Sequence, residues 1–196
     1  MKVSVMGAGS WGSVFAMILA DSGCDVVLWS RSAQIAAEVN DQHTNRSYHD
    51  NLMLPEQVVA TTDAATALAD SELVILATPS QTLRSNLEQW GSLIPKDAVA
   101  ASLIKGIELG TSKRMSEVVS EVAGLTPDRI AVISGPNLAH EIADREPAAT
   151  TVACVNEDSA RKVQDACTTD YFRPYYTTDV LGVELAGALK NVIACL

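Results

Sequence analysis

Apolar positions along the chain fall into short continuous runs, separated by longer stretches in which they recur every three or four residues. The short runs read as strands: Lys2–Met6, Asp25–Trp29, Val58–Ala60, Leu73–Ala77, Ala98–Leu103, Arg129–Ile133, Ala148–Val155 and Tyr171–Tyr175. Leu73–Ala77 is apolar throughout, as expected of a central strand covered on both faces. Helical spacing occupies Trp11–Asp21, Ala33–Asn40, Gln81–Trp90, Lys113–Ala123, Leu138–Ala143, Asp158–Cys167 and Asp179–Leu196. Gly23 reads as the stop of the first helix. Thr62 or Asp63, Ser80 and Asn137 read as caps of the helices that follow them. Strands alternating with helices predict an α/β, doubly wound, mostly parallel sheet with helices on both faces. The last helix is apolar nearly all round and expects a partner on every side. We therefore expect residues 1–178 to form one domain, and residues 179–196 to be the first helix of a C-terminal all-α domain that is largely missing.

The first strand runs into Gly7, Gly9 and Gly12 in G-x-G-x-x-G spacing, and a helix follows. Strand before and helix after make this spacing a dinucleotide-binding signal of the Rossmann type. Gly7 permits the tight turn, Gly9 lets the backbone approach a pyrophosphate, and Gly12 lets the helix lie close on the strand. The helix presents unpaired N–H groups and its positive dipole end to the phosphates. Roughly 20 residues further on, such folds place an acid on the adenosine ribose; here the sequence reads Trp29-Ser30-Arg31. A carboxylate would repel a ribose 2′-phosphate, whereas Arg31 can pair with it, so NADP(H) is preferred and NAD(H) remains an alternative.

Other candidates lie where strands end, since ligands bind there in open α/β sheets. These are Thr78-Pro79-Ser80, Lys105, and Ser134-Gly135-Pro136-Asn137 at a second helix N-terminus. His140 and Glu141 read as solvated helix residues. Asp41–Pro55 is polar and irregular, and long enough to be functional. Tyr48 and His49 lie either over the cofactor or in an ordinary surface loop. Lys190 leans back over Ala186 and Gly187, both small. It is either a desolvated proton acceptor, with Asn191 donating beside it, or a surface lysine with a buried stem.

Composition narrows the partners. A hydrophobic content of 47% and charged content of 19% over 196 residues exclude a disordered chain. The net charge of −10 argues against nucleic acid and anionic membranes, so an anionic ligand must be held by local donors. Cys24, Cys154, Cys167 and Cys195 show no metal-ligand spacing and read as reduced thiols of a cytoplasmic protein. The apolar start runs directly into the glycine turn and does not read as a signal peptide. No run reads as a membrane span, because even Val180–Leu196 carries Glu184 and Lys190.

Taken together, the motifs resemble the bacterial NAD(P)-dependent glycerol-3-phosphate dehydrogenases. Gly7-Ala8-Gly9-Ser10-Trp11-Gly12 resembles that family's start, and Asn45-Arg-Ser-Tyr48 followed by Leu54-Pro55 is similar to its Asn-x-x-Tyr-Leu-Pro stretch. Thr78-Pro-Ser-Gln, Lys105-Gly-Ile, Ser134-Gly-Pro-Asn137 and Asp179-Val-Leu-Gly-Val-Glu-Leu-Ala-Gly-Ala-Leu-Lys190-Asn-Val-Ile-Ala are similar as well. The resemblance covers the whole chain in order. It implies that Ser10, Trp11, Arg31, Tyr48 and Ala139 contact the cofactor, and that Lys105 touches cofactor and substrate. It implies further that Gly135, Asn137 and Asn191 line the substrate site and that Lys190 is the proton acceptor. The implied activity is the interconversion of sn-glycerol 3-phosphate and dihydroxyacetone phosphate with NAD(P)(H), feeding glycerophospholipid synthesis. A homodimer is left open for the full-length protein. Two departures stand out: Asn137 sits where many members carry Ser or Thr, and Ser32 where a second basic residue often follows Arg31. The family's C-terminal helical domain, which completes the substrate site, is absent after Leu196. Another hydroxyacid or 6-phosphogluconate-type dehydrogenase, or a non-catalytic dinucleotide-binding module, are the competing expectations.

Overall fold

The computed structural model describes residues 1–193, with side chains described through Lys190; the expectations for the Asn191 side chain and Cys195 lie outside the described residues. Strands β1 (Lys2–Met6), β2 (Asp25–Trp29), β3 (Val58–Thr61), β4 (Leu73–Leu76), β5 (Val99–Ser102), β6 (Ile130–Ser134), β7 (Ala148–Ala153) and β8 (Phe172–Thr177) form one sheet. Helices α1 (Ser10–Asp21), α2 (Ala33–Gln42), α3 (Ala64–Leu68), α4 (Leu83–Trp90), α5 (Met115–Ala123), α6 (Ala139–Ala143), α7 (Glu157–Ala166) and α8 (Val180–Ile193) connect and flank it.

The strand order is β3-β2-β1-β4-β5-β6-β7-β8. Strands β1 to β6 run parallel, so the direction of winding reverses between β1 and β4. That reversal opens a crevice beyond the carboxyl ends of the strands, the usual ligand position of such sheets. The sheet divides the core in two. One apolar cluster includes Val14–Ala20 of α1, Ala36 and Val39 of α2, Ile142 of α6, and Ala160 and Val163 of α7. The other includes Ala67 and Leu68 of α3, Leu83 and Leu87 of α4, and Val118 and Val119 of α5. All four residues of β4 are buried, as its unbroken apolar run requires. In α1 every residue from Gly12 to Ala20 is buried, so this helix is enclosed on all sides.

Several local expectations hold for a stated reason. Asp63 accepts from the Ala65 and Thr66 N–H groups and starts α3, and Gly23, at φ 91°, follows directly on the end of α1 at Ser22. Others are corrected. Ser80 does not cap α4: Ser80–Thr82 form a tight 3₁₀ turn, and the helix begins at Leu83. Asn137 does not cap α6; its Nδ2 donates instead to the Ala149 carbonyl at 2.8 Å, and the N-cap is Leu138 without a side-chain bond. β7 pairs antiparallel with β6, while β8 returns parallel to β7. Pro174 is tolerated inside β8 because β8 is an edge strand. Among the described residues no helix is long and apolar enough to cross a membrane, and no acid, His or Cys group could hold a metal ion. Cys24, Cys154 and Cys167 are buried and free.

Candidate functional site

A cavity of about 600 Å³ lies at the winding reversal. Its walls come from the segments after five strands: Gly7–Trp11 after β1, Trp29–Ser32 after β2, Ala77–Ser80 after β4, Leu103–Lys105 after β5 and Asn137–Ala139 after β6. Tyr48 closes one side. The chain has 24 acidic residues, yet none lines this cavity among the described residues, whereas Arg31 and Lys105 do. A chain of net charge −10 thus keeps one crevice free of carboxylates.

The glycine turn has the steric logic read from its spacing. Gly7 sits at φ 136°, and a Cβ there would lie 2.6 Å from the Ala77 carbonyl oxygen. A Cβ on Gly12 would lie 1.9 Å from the Gly7 carbonyl oxygen and 3.1 Å from the Ala77 Cβ, so Gly12 lets α1 pack on the turn from behind. A Cβ on Gly9 would meet nothing within 4 Å, so Gly9 keeps open space at the cavity wall. Gly9 is the N-cap of α1; no side chain caps the helix, and no acid occupies its first turn. The first N–H groups of α1 and the positive end of its dipole therefore face the cavity uncompensated, the arrangement that binds an anion.

Arg31 is exposed on the turn between β2 and α2. Ser30 Oγ accepts from the Ser32 N–H at 3.1 Å and Ser32 accepts from the Ile35 N–H, which fixes the turn on either side of Arg31. Thr78 Oγ1 is buried without a partner among the described residues, on a residue that lines the cavity. An orphaned hydroxyl, uncapped helix N–H groups and two cations together fit a phosphorylated, hydrogen-bonding ligand such as a dinucleotide.

At the far end of the cavity, Lys105 Nζ donates to the Gly135 carbonyl at 2.9 Å. Burial lowers the Lys105 pKa from its usual value, and the positive charge of Lys190 lowers it further. Lys190 is not among the cavity-lining residues. Gly135 and Asn137 line a second cavity of about 300 Å³ with Pro147–Thr151, on the other side of the turn after β6. Helix α8 reaches this corner through two contacts. A Cβ on Gly187 would lie 2.6 Å from Ser134 Oγ and 3.8 Å from Lys105 Cγ, so the small residue allows α8 to approach the end of β6 closely. The buried Glu184 accepts from Arg114 Nη1 at 2.8 Å, the Ser116 N–H at 2.9 Å and Ser116 Oγ at 2.6 Å, clamping α8 to the start of α5.

The sequence-derived residues therefore converge: Gly7, Gly9, Ser10, Trp11, Arg31, Tyr48, Lys105, Asn137 and Ala139 line one cavity, with Gly12 behind it. Sequence reasoning missed the Glu184 clamp, because its partners lie 68 and 70 residues away. It also left Asn45 without a role and His49 undecided. His49 Nε2 lies 3.0 Å from Ser10 Oγ, which places that residue at the glycine turn.

A family profile described as the N-terminus of NAD-dependent glycerol-3-phosphate dehydrogenase matches residues 2–160. A protein of Corynebacterium diphtheriae named glycerol-3-phosphate dehydrogenase (NAD(P)+) is 55% identical over 194 residues, 99% of this chain and 59% of that protein. A protein of the same name from Streptomyces griseus is 55% identical over 193 residues, 98% of this chain and 57% of that protein. The crystal structure of glycerol-3-phosphate dehydrogenase from Coxiella burnetii superposes with a TM-score of 0.90 at 32% identity, over 98% of this chain and 58% of that one. A UDP-D-ManNAc dehydrogenase from Pyrococcus horikoshii, at 16% identity and a TM-score of 0.76, shares the fold alone. The chain thus spans just under three-fifths of the length of the curated relatives it matches.

Proposed function

Since the chain belongs to the family of NAD-dependent glycerol-3-phosphate dehydrogenase N-termini, we propose that it is the cofactor-binding part of an oxidoreductase. The reaction is the interconversion of sn-glycerol 3-phosphate and dihydroxyacetone phosphate. The observation that carries this reading is the carboxylate-free cavity at the winding reversal, with the uncapped start of α1 on its wall. In this reading the Gly9–Trp11 segment holds the pyrophosphate through backbone N–H groups and the Ser10 hydroxyl. Arg31 takes the ribose 2′-phosphate, which favours NADP(H) over NAD(H). Residues 1–178 are the dinucleotide-binding domain, and α8 opens the domain that completes the substrate site. We further propose that the longer polypeptide is cytoplasmic and forms a homodimer.

When bound, the nicotinamide supplies or accepts the hydride. The chain's own residues supply charge and protons. Lys105, tied to the Gly135 carbonyl, holds a cation at the junction of the two cavities and neutralises charge on a phosphorylated substrate. Lys190 takes the proton from the carbinol oxygen in oxidation and returns it in reduction. Glu184 and Gly187 set how far α8 lies from the crevice, and so where that amine stands. Gly135, Asn137 and Asn191 complete the substrate wall.

The test uses the polypeptide at the length of the relatives. Reduction of dihydroxyacetone phosphate is followed by NADPH absorbance, for the natural enzyme and for Lys190→Ala. We expect kcat to fall by at least about 100-fold in Lys190→Ala, with NADPH affinity kept within about threefold. Turnover that survives in Lys190→Ala refutes the assignment of the proton to Lys190. Absence of turnover by the natural enzyme refutes the activity.

A further inference from the structure

The loop between α2 and β3 is tied down along its length. The Leu54 N–H donates to the His43 carbonyl at 2.8 Å, Glu38 of α2 accepts from Thr44 Oγ1 and the Arg46 N–H, and Leu52 and Leu54 are buried. So anchored, the loop sends two side chains under the glycine turn. Asn45 is fully buried; its Nδ2 donates to the Ala8 carbonyl at 3.0 Å and to Ser13 Oγ at 2.8 Å. The nearly buried His49 brings Nε2 to 3.0 Å from Ser10 Oγ and 3.1 Å from the Ser10 carbonyl oxygen.

Two consequences follow from elementary geometry. In a planar trans peptide the carbonyl and the next N–H point in opposite directions. Pinning the Ala8 carbonyl toward Asn45 therefore points the Gly9 N–H away from it, and that N–H has no partner among the described residues. A carbonyl oxygen can only accept, so the ring nitrogen beside the Ser10 carbonyl carries the proton. The same Nε2–H then faces Ser10 Oγ, and the Ser10 hydroxyl proton is left free to donate elsewhere. Asn45 keeps its place although its own Oδ1 is buried and unpaired among the described residues. Its donating face is the part the site uses.

We propose that Asn45 and His49 are positioning residues of the dinucleotide site: they brace the glycine turn from behind, so that the Gly9 N–H and the Ser10 hydroxyl are held ready for a phosphate oxygen. This rests on the reading of the cavity as a dinucleotide site. The brace acts on the part of the cofactor shared by NADH and NADPH, unlike Arg31, which acts on the 2′-phosphate. Tyr48 is carried between the two anchors, so the brace also sets that ring at the cavity wall.

The chain is titrated with NADPH and with NADH, and the tryptophan fluorescence of Trp11 and Trp29 at the cavity wall is the signal. Asn45→Asp keeps the side-chain shape and removes the donor. We expect it to weaken both cofactors by the same factor, about tenfold or more. His49→Phe is expected to do the same, while His49→Gln, which keeps an N–H donor, stays within about threefold of the natural chain. A separate signature needs no cofactor. The Gly9 amide ¹⁵N resonance reports hydrogen bonding at the preceding carbonyl, so it shifts in Asn45→Asp and not in Arg31→Ala. A purely structural role for Asn45 would lower the unfolding temperature and leave that resonance and both affinities unchanged; that result overturns the proposal. If Asn45→Asp does not fold, the contrast between His49→Phe and His49→Gln decides, and equal affinity of the two overturns it. If the natural chain binds neither cofactor, the reading of the cavity itself fails, whatever the Gly9 resonance shows.

Discussion

Two single-methyl additions, three residues apart, separate the packing role of the glycine turn from its binding role. A Cβ at Gly12 would stand 1.9 Å from the Gly7 carbonyl oxygen, a backbone atom that cannot swing aside. The start of α1 must then withdraw from the turn by roughly 1 Å. Such overpacking costs about 3 kcal/mol, and the helix propensity of alanine returns up to about 1 kcal/mol. The net loss of about 2 kcal/mol lowers the unfolding temperature by about 4–8 °C in a domain of this size. Gly9→Ala meets nothing within 4 Å, and the Gly9 backbone, at φ −81° and ψ −176°, is one that alanine adopts freely. The poorer N-cap and the stiffer unfolded chain nearly cancel, each at under about 1 kcal/mol. Its methyl instead fills the space a phosphate needs, which removes one charge-assisted bond of about 1.5–3 kcal/mol and 10- to 100-fold in affinity. Thermal unfolding of the cofactor-free chain, paired with NADPH titration, measures both. Gly12→Ala should lose stability and affinity together; Gly9→Ala should lose affinity alone. If Gly12→Ala melts with the natural chain, or Gly9→Ala binds as the natural chain does, the steric reasoning is refuted.

Other predictions concern charges. Removing the buried Glu184 carboxylate by Glu184→Ala should lower the unfolding free energy by about 2–3 kcal/mol in urea titrations, with NADPH affinity unchanged, because Glu184 holds α8 and lies outside the cavity; an unchanged urea midpoint would contradict the clamp. Bonds from Arg84, with help from the Thr111 hydroxyl, hold the Glu108 carboxyl at about 2. A folded-state pKa below the ordinary 4.5 stabilises the chain fully above that value and is lost as pH falls from there toward about 2. Arg84→Gln should therefore flatten the pH dependence of stability across that interval, and an unchanged slope in urea titrations at several pH values would exclude it. Replacing Lys190 by Met should raise the Lys105 pKa, because one of the two influences that lower it is removed; side-chain NMR titration of Lys105 reads the change, and no rise would separate the two amines.

Much of this site was legible because the responsible forces are local. Gly12 is read from spacing because it answers a clash inside the turn itself, with the Gly7 carbonyl oxygen, and Gly9 because it leaves an opening there; Gly7 is legible through its own backbone at φ 136°, although the atom a Cβ would strike belongs to Ala77 after β4. Arg31 is legible because the position after β2 is fixed by the length of one βαβ unit. Lys105 and Asn137 could be placed at the crevice from strand ends alone, and both line the cavity. What the sequence concealed depends on distant partners. Asn137 looked like a cap because it precedes a helix, yet the Ala149 carbonyl on β7, 12 residues on, takes its amide. The antiparallel direction of β7 leaves no trace in hydrophobic alternation, which is the same for either direction. Ser80 looked like a helix start, but the chain first tightens into a 3₁₀ turn after Pro79. Asn45 is polar in a polar loop, and nothing in that pattern marks it as fully buried beneath Ala8 and Ser13.

The central claim is that the carboxylate-free cavity holds a dinucleotide with Arg31 on its 2′-phosphate. The most direct measurement is the pair of dissociation constants for NADPH and NADH, in the natural chain and in Arg31→Ala. The account predicts tighter binding of NADPH, and a loss of about tenfold or more for NADPH alone when Arg31 is removed, which brings the two cofactors together. Equal weakening of both cofactors, or no change in either, would contradict the placement of Arg31, and binding of neither to the natural chain would contradict the site.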